Sequence, residues 1–202
     1  DAFAVASVMN CEGKELAVRY FKGGKEYTHR CSKVLEKIEK SRKSRGENAG
    51  GRVNQKYWMH LKHLGEQYAH QVSMNIVTFC KEQDVSVIAF PKYDEEYRRH
   101  VLKGAGNFGT LHLSTRIREY LTYKAWKEGI LVLDVNAKEM HRICAICGSE
   151  ITQQNKESKR FVCKEGHQGD AYLNVARNAA KRCLEQFRKK AGKEKNVSAK
   201  KS

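Results

Sequence analysis

The stretch that most constrains this chain runs from Cys144 to Asn178. It reads Cys144-Ala-Ile-Cys147-Gly148, then Cys163-Lys-Glu-Gly-His167, then Asp170-Ala-Tyr-Leu-Asn174-Val-Ala-Arg-Asn178, with fifteen residues between Cys147 and Cys163. Two cysteines two residues apart can chelate one ion from a tight turn, and Gly148 supplies that turn. A second pair must come from a facing turn, and Cys163 and His167 offer one. Four soft or borderline ligands at this spacing point to a tetrahedral zinc site. A second C-x-x-C would put cysteine at residue 166, where this chain has Gly166, so His167 reaches from one residue further on. His141 is an alternative fourth ligand. Residues 149–162 are polar and end in Lys156, Lys159 and Arg160, which suits an exposed hairpin. So short a segment cannot bury enough apolar surface to stand alone, and a metal supplies what the core lacks.

The remaining cysteines, Cys11, Cys31, Cys80 and Cys183, are scattered and form no framework. Thiols plus a metal site fit a reducing, cytoplasmic setting better than a disulfide scaffold. No apolar run is long enough to span a membrane, and no signal peptide is expected. Lys and Arg outnumber Asp and Glu by 39 to 23, a net charge of +16. A soluble basic protein could carry that balance, but beside a zinc ribbon it points to nucleic acid.

Ahead of the ribbon the pattern is that of an α/β domain. Residues 2–9 and 16–21 read as two strands around the turn Asn10-Cys-Glu-Gly13. Val34, Leu35 and Ile38 mark a short amphipathic helix, and residues 41–51 a mobile loop. Tyr57, Leu61, Leu64, Tyr68, Val72, Ile76 and Phe79 recur at three- and four-residue steps, which predicts a long helix over 53–80. Residues 85–90 form a strand stopped by Pro91. A charged segment (93–103) and a Gly-rich loop (104–109) follow, then a helix over 111–128 capped by Gly129 and a strand over 130–135. Strands separated by helices imply parallel neighbours, and the opening hairpin an antiparallel part. A mixed sheet flanked by helices is expected. The tail carries nine Lys or Arg against two acids from Lys181 onward, with residues 191–202 expected to be disordered.

The ribbon, its lead-in and the helix behind it resemble the TnpB transposon-encoded RNA-guided nucleases and the related miniature type V CRISPR effectors. Leu121-Thr-Tyr123-Lys124-Ala125 followed by Gly129-Ile-Leu-Val132 looks like that family's helix and strand. Cys144-x-x-Cys147-Gly148 with Arg160-Phe161-x-Cys163 looks like its ribbon, and Asn174-Val-Ala-Arg-Asn178 like the start of its closing helix. The resemblance implies an RNase H-like (RuvC-like) domain over 1–140, its first strand lying before Asp1. A zinc-ribbon insertion over 141–169, a closing helix over 170–190 and a basic tail complete the chain. It implies DNA and guide RNA as partners, and in active members magnesium-dependent cleavage by three carboxylates holding two metals.

Those carboxylates do not correspond here. Ala89 or Phe90 stands where the family has Glu, and Tyr172 where it has Asp. Asp170 and Glu95 could rebuild a site in a shifted register, and Glu96 follows Glu95. Asp170 is equally suited to cap the next helix. The expectation is a nucleic-acid-binding region with cleavage degraded or lost. The alternatives are an active endonuclease with shifted carboxylates and a zinc-ribbon interaction module unrelated to RNA guidance. Lys124, Lys156, Lys159, Arg160, Arg177, Lys181 and Arg182 are the expected phosphate contacts, chosen by charge and location.

Overall fold

The computed structural model describes residues 2–45, 54–95, 99, 110–155 and 158–198. Strands β1 (Ala2–Met9) and β2 (Glu15–Lys22) form an antiparallel hairpin with Val5 opposite Tyr20. Its turn is built by Asn10, whose Oδ1 accepts the Glu12 and Lys14 N–H groups at 3.1 and 2.9 Å. Gly13 closes it at φ 92°, a conformation that favours glycine.

Helix α1 (Gly24–Arg45) is longer than the short helix the sequence suggested. Only its Cys31, Val34 and Ile38 are buried, against Leu61, Leu64 and Tyr68 of α2 (Gln55–Glu82). Its solvated face is rich in Lys, Arg and Glu, strong helix formers that carry no packing signal. Of the loop expected over 41–51, residues 41–45 are helical and the rest lies outside the described residues. The Gly-rich loop at 104–109 also lies outside them.

Strand β3 (Val87–Lys92) pairs in parallel with β4 (Leu131–Asn136), and α3 (Thr110–Lys127) precedes β4 on the crossover. Pro91 does not stop β3 as expected. Leu131 N–H donates to the Ser86 carbonyl and Ala137 N–H to that of Lys92, so even-numbered positions of β3 face β4. Pro91 has its missing N–H on the open edge, where proline costs no ladder bond.

The strands alternate between two helix layers. Ala4, Ala6, Val8, Ile88, Phe90 and Val132 pack on the stripe that α2 and α3 share, which includes Ala69, Val72, Ile76, Ile117, Leu121 and Ala125. Val87, Ala89, Leu133 and Val135 face the opposite way, toward Ala179 and Cys183 of α4 (Ala171–Ser198). The expected α/β class holds, as a mixed set of small sheets between helices. The expected single sheet does not: β1–β2 and β3–β4 are two separately hydrogen-bonded pairs. A third sheet, β5 (Ile151–Asn155), β6 (Arg160–Cys163) and β7 (Gln168–Asp170), forms the ribbon.

Helix α4 runs through Ser198, where disorder was expected from residue 191. Ala191, Lys193, Glu194 and Lys195 in that stretch favour helix even without an apolar face. No helix among the described residues is long and apolar enough to cross a membrane.

Candidate metal centre and nucleic-acid interface

Two tight turns present the four candidate ligands. In the first, Gly148 N–H donates to the Cys144 carbonyl at 2.9 Å, and Gly148 sits at φ 78°. In the second, Gly166 N–H donates to the Cys163 carbonyl at 2.9 Å, with Gly166 at φ 80°. The turns differ by one residue. Glycine stands four residues after its cysteine in the first and three after it in the second. Gly166 therefore takes the turn position itself, and His167 brings its longer ring to the site from the next residue. Lys164 N–H donates to the Glu150 carbonyl at 3.0 Å and ties the turns together.

The ligand atoms of Cys144, Cys147, Cys163 and His167 all lie within 4.8 Å of one another. Cys147 Sγ is 3.7 Å from Cys163 Sγ, which is 3.5 Å from His167 Nδ1. A tetrahedral zinc with bonds of about 2.3 Å to sulfur and about 2.0 Å to nitrogen requires edges of about 3.8 and about 3.6 Å. These two separations match those edges, and the four donors, all within 4.8 Å of one another, are of the type and number that hold such an ion. His141 stays outside this group. Hydrogen bonding to Ser149 and the neighbouring thiols holds the Cys147 thiol down at about 6, toward the thiolate that a metal needs. Cys144, Cys163 and Phe161 are buried with Ile151 beside them, a core too small to hold the hairpin alone.

The closing helix grips the ribbon through residues whose role the sequence did not disclose. Buried Asn174 accepts the Ala145 N–H on Oδ1 at 2.7 Å and donates from Nδ2 to the Ile143 carbonyl at 2.8 Å. Asn178, one turn on, donates to the Met140 and Ile143 carbonyls at 2.9 and 2.8 Å. Both amides satisfy backbone groups that the first turn leaves open. Their four-residue spacing, which puts both on one helix face, was the available signal.

Several residues expected at phosphate are used inside the molecule. Lys124 is buried and donates to the Ser73 hydroxyl and the His70 carbonyl, each at 2.7 Å. Arg177 makes a two-pronged ion pair with Glu15 at 2.7 and 2.6 Å, holding α4 to β2. Lys181 donates to the Ala145 carbonyl. Arg182 donates to the carbonyls of Asn136 and Lys138, both at 2.7 Å. These four cations are placed by internal acceptors, a use that charge and position in the sequence cannot separate from phosphate binding. Lys159 and Arg160 remain at the surface. Lys159 has φ 57° and sets its ammonium 5.0 Å from the centre of the exposed Tyr172 ring. Lys156 lies outside the described residues.

The carboxylates are likewise occupied. Asp170 Oδ1 accepts the Tyr172 and Leu173 N–H groups, both at 2.9 Å, and caps α4. Glu95 is exposed and faces Arg99 at 3.4 Å, while Glu96 lies outside the described residues. Ala89 packs toward α4 and Phe90 toward α2 and α3. Among the described residues, the Cys144–His167 cluster is the one group of three or more His, Cys, Asp or Glu able to share an ion.

The ribbon region is similar in sequence, and the chain in fold, to miniature type V effectors. Residues 115–179 match the family model described as Cas12f1-like, TNB domain. That match spans α3, β4, the ribbon and the Asn174–Asn178 clamp. Among solved structures, the chain is similar to one in the cryo-EM structure of the Cas12f1–sgRNA–target DNA complex. The TM-score is 0.60 at 12% identity, covering 87% of this chain and 49% of that one. At that identity the likeness is one of fold, and this chain spans about half the other's length. No curated protein matches.

Proposed function

We propose that this chain is the nucleic-acid-binding region of a TnpB-like RNA-guided protein in which magnesium-dependent cleavage has been lost. One observation carries the binding half. The Cys144–His167 cluster is locked to α4 by Asn174 and Asn178 within the stretch that matches the Cas12f1-like family. A structural zinc there would hold the hairpin of residues 149–162 against the body of the domain. Residues 1–140 would serve as that body, 141–169 as the ribbon, and α4 as the closing element. With a net charge of +16, the chain would draw a polyanion from a distance and release counterions on binding it. DNA and guide RNA are the proposed partners, with base pairing reading sequence and the protein holding backbone and shape. Free thiols at Cys11, Cys31, Cys80 and Cys183 suit a cytoplasmic setting.

The loss of cleavage is supported by what stands at the expected metal positions. Ala89 and Phe90 bring no carboxylate, Tyr172 brings a phenol, and Asp170 is engaged with backbone N–H groups. The test is a cleavage and binding assay on one preparation, with magnesium and labelled single- and double-stranded DNA. Salt-dependent binding without cutting is the expected result. Cutting that Asp170→Ala abolishes would overturn the loss of activity and establish the shifted-carboxylate nuclease. Binding that ignores salt would remove nucleic acid as partner and leave a zinc-ribbon protein-interaction module.

A further inference from the structure

Helices α2 and α3 run side by side in the same direction. Arg116 reaches the Lys62 carbonyl, and Lys124, eight residues later, reaches that of His70, also eight residues later. Their apolar stripes meet inside, which leaves a shared outer face. There His70 lies flat on Tyr120, with ring centres 3.8 Å apart and planes within 9°. Tyr120 meets Tyr123 edge-on at 6.3 Å. Tyr123 is 43% exposed and Trp126, one turn further, 75%. An indole left that open contributes nothing to the core, and one turn before it His70, Tyr120 and Tyr123 are packed ring against ring. Aromatic area at a surface offers a planar ligand a face to stack on.

The charge beneath this face is unbalanced. Lys124 is 8% exposed, and its ammonium donates to two neutral oxygens, the His70 carbonyl and the Ser73 hydroxyl. Burial pushes its pKa down. The ammoniums of Lys124 and Lys127 each lie 5.9 Å from the centre of the Tyr123 ring. The nearby Glu128 is engaged by Lys81 at 2.7 Å. The exposed Glu119, one turn before Tyr123, is the acid that borders this face, at the end away from Lys127. An aromatic surface with an exposed cation beside it complements an unpaired nucleic-acid strand, whose bases stack while a phosphate meets Lys127.

We propose that Tyr123, Trp126 and Lys127, backed by His70, Tyr120 and Lys124, form a stacking platform for single-stranded nucleic acid, separate from the ribbon. The platform gives the nucleic-acid reading a second contact, on the helix layer of the body, and rests on that reading. It accepts any base, since every base offers a flat face, and selects unpaired over paired strands.

The chain has two tryptophans, Trp58 and Trp126. In a Trp58→Phe background Trp126 is the sole indole, so its emission reports the platform directly. The probe is an oligothymidylate of about twenty nucleotides, enough to cover one or two sites of the usual size. Emission from Trp126 is expected to be quenched as the strand binds. Trp126→Ala and Tyr123→Ala are each expected to weaken binding about tenfold, in line with the loss of one stacked base. Lys127→Gln is expected to lower the slope of log affinity against log salt by about one. Trp126 is so exposed that its replacement should leave the far-ultraviolet dichroism unchanged. Unquenched emission with unchanged affinity in Trp126→Ala, while the parent binds with normal salt dependence, overturns the platform and leaves the broader reading standing. A parent that binds no strand overturns both. If Trp126→Ala instead dissociates a self-associated form at unchanged strand affinity, the face is a protein contact and the platform is refuted.

Discussion

The side-chain oxygen of Asn174 accepts a hydrogen bond from the backbone N–H of Ala145, 29 residues earlier and inside the first cysteine turn. The nitrogen of the same amide donates to the Ile143 carbonyl. One residue of α4 thus satisfies both sides of the turn that offers Cys144 and Cys147. The metal site and the closing helix are therefore one mechanical unit, and a change in one should be felt in the other.

Asn174→Ala is expected to lower stability by about 1–3 kcal/mol, the cost of leaving buried backbone groups without partners. It should also weaken metal retention, because the first turn loses its orientation. Asn174→Asp keeps an acceptor for Ala145 N–H but loses the donor to Ile143, and buries a charge. Thermal unfolding with and without a chelator would show both effects. An unchanged midpoint in both variants would contradict the clamp.

The metal itself gives a second expectation. One equivalent of zinc per chain should copurify, and Cys163→Ser or His167→Ala should retain less than about half of it. Chelation should unfold the ribbon and leave the α2–α3 core intact, since Leu121, Ile117 and Ala125 are buried independently of it. Elemental analysis and far-ultraviolet dichroism before and after chelation check this. A metal-free chain with an unaltered ribbon signal would refute it.

The Glu15–Arg177 pair ties α4 to β2 and should respond to acid. Hydrogen bonding from Arg177, the largest influence, holds the Glu15 carboxyl below its ordinary value of 4.5. A depressed carboxylate contributes stability that is present above the unfolded pKa and is lost as pH falls through the folded one. Stability should therefore decline more steeply below about pH 4.5 in the parent than in Glu15→Gln. At neutral pH that variant should be less stable by roughly 1–3 kcal/mol, since it weakens a charged, partly buried hydrogen-bonded pair. Denaturant titrations across acid pH would measure it, and identical pH profiles would contradict it.

Asp170 separates a capping role from a catalytic one. Asp170→Asn should be nearly as stable as the parent, because asparagine also caps, whereas Asp170→Ala should lose about 1 kcal/mol. Tyr172→Asp, which supplies a carboxylate at the expected position, should not by itself produce magnesium-dependent cutting, because Ala89 and Phe90 offer no partner acid. Cutting by Tyr172→Asp alone would show that a second carboxylate is within reach.

The sequence made much of this legible, and the rest was hidden for physical reasons that differ from element to element. Periodic apolar positions located α2 and α3 within a few residues, because a buried stripe is written in side-chain type. Cysteine and glycine spacing located the ribbon for the same reason. The extent of α1 and α4 was not legible, since their solvated turns follow propensity and not pattern. The break between the β1–β2 and β3–β4 pairs was invisible, because hydrogen-bond partners between distant strands leave no local mark. Charge was the least specific guide. Lys124, Arg177, Lys181 and Arg182 look like phosphate contacts in the sequence, yet each meets an oxygen of the chain itself. A basic side chain does not disclose in sequence which anion or carbonyl it will find. Asn174 and Asn178, which carry no charge, turned out to hold the site together.

The central claim is that a metal-held ribbon clamped to α4 serves nucleic-acid binding. It is tested most directly by the affinity of the zinc-loaded chain for a labelled DNA strand, measured from about 50 to about 200 mM salt and repeated after chelation. Log affinity should fall steeply with log salt, and binding should be weaker at every salt once the metal is removed. Affinity that is indifferent to both salt and chelation would contradict it.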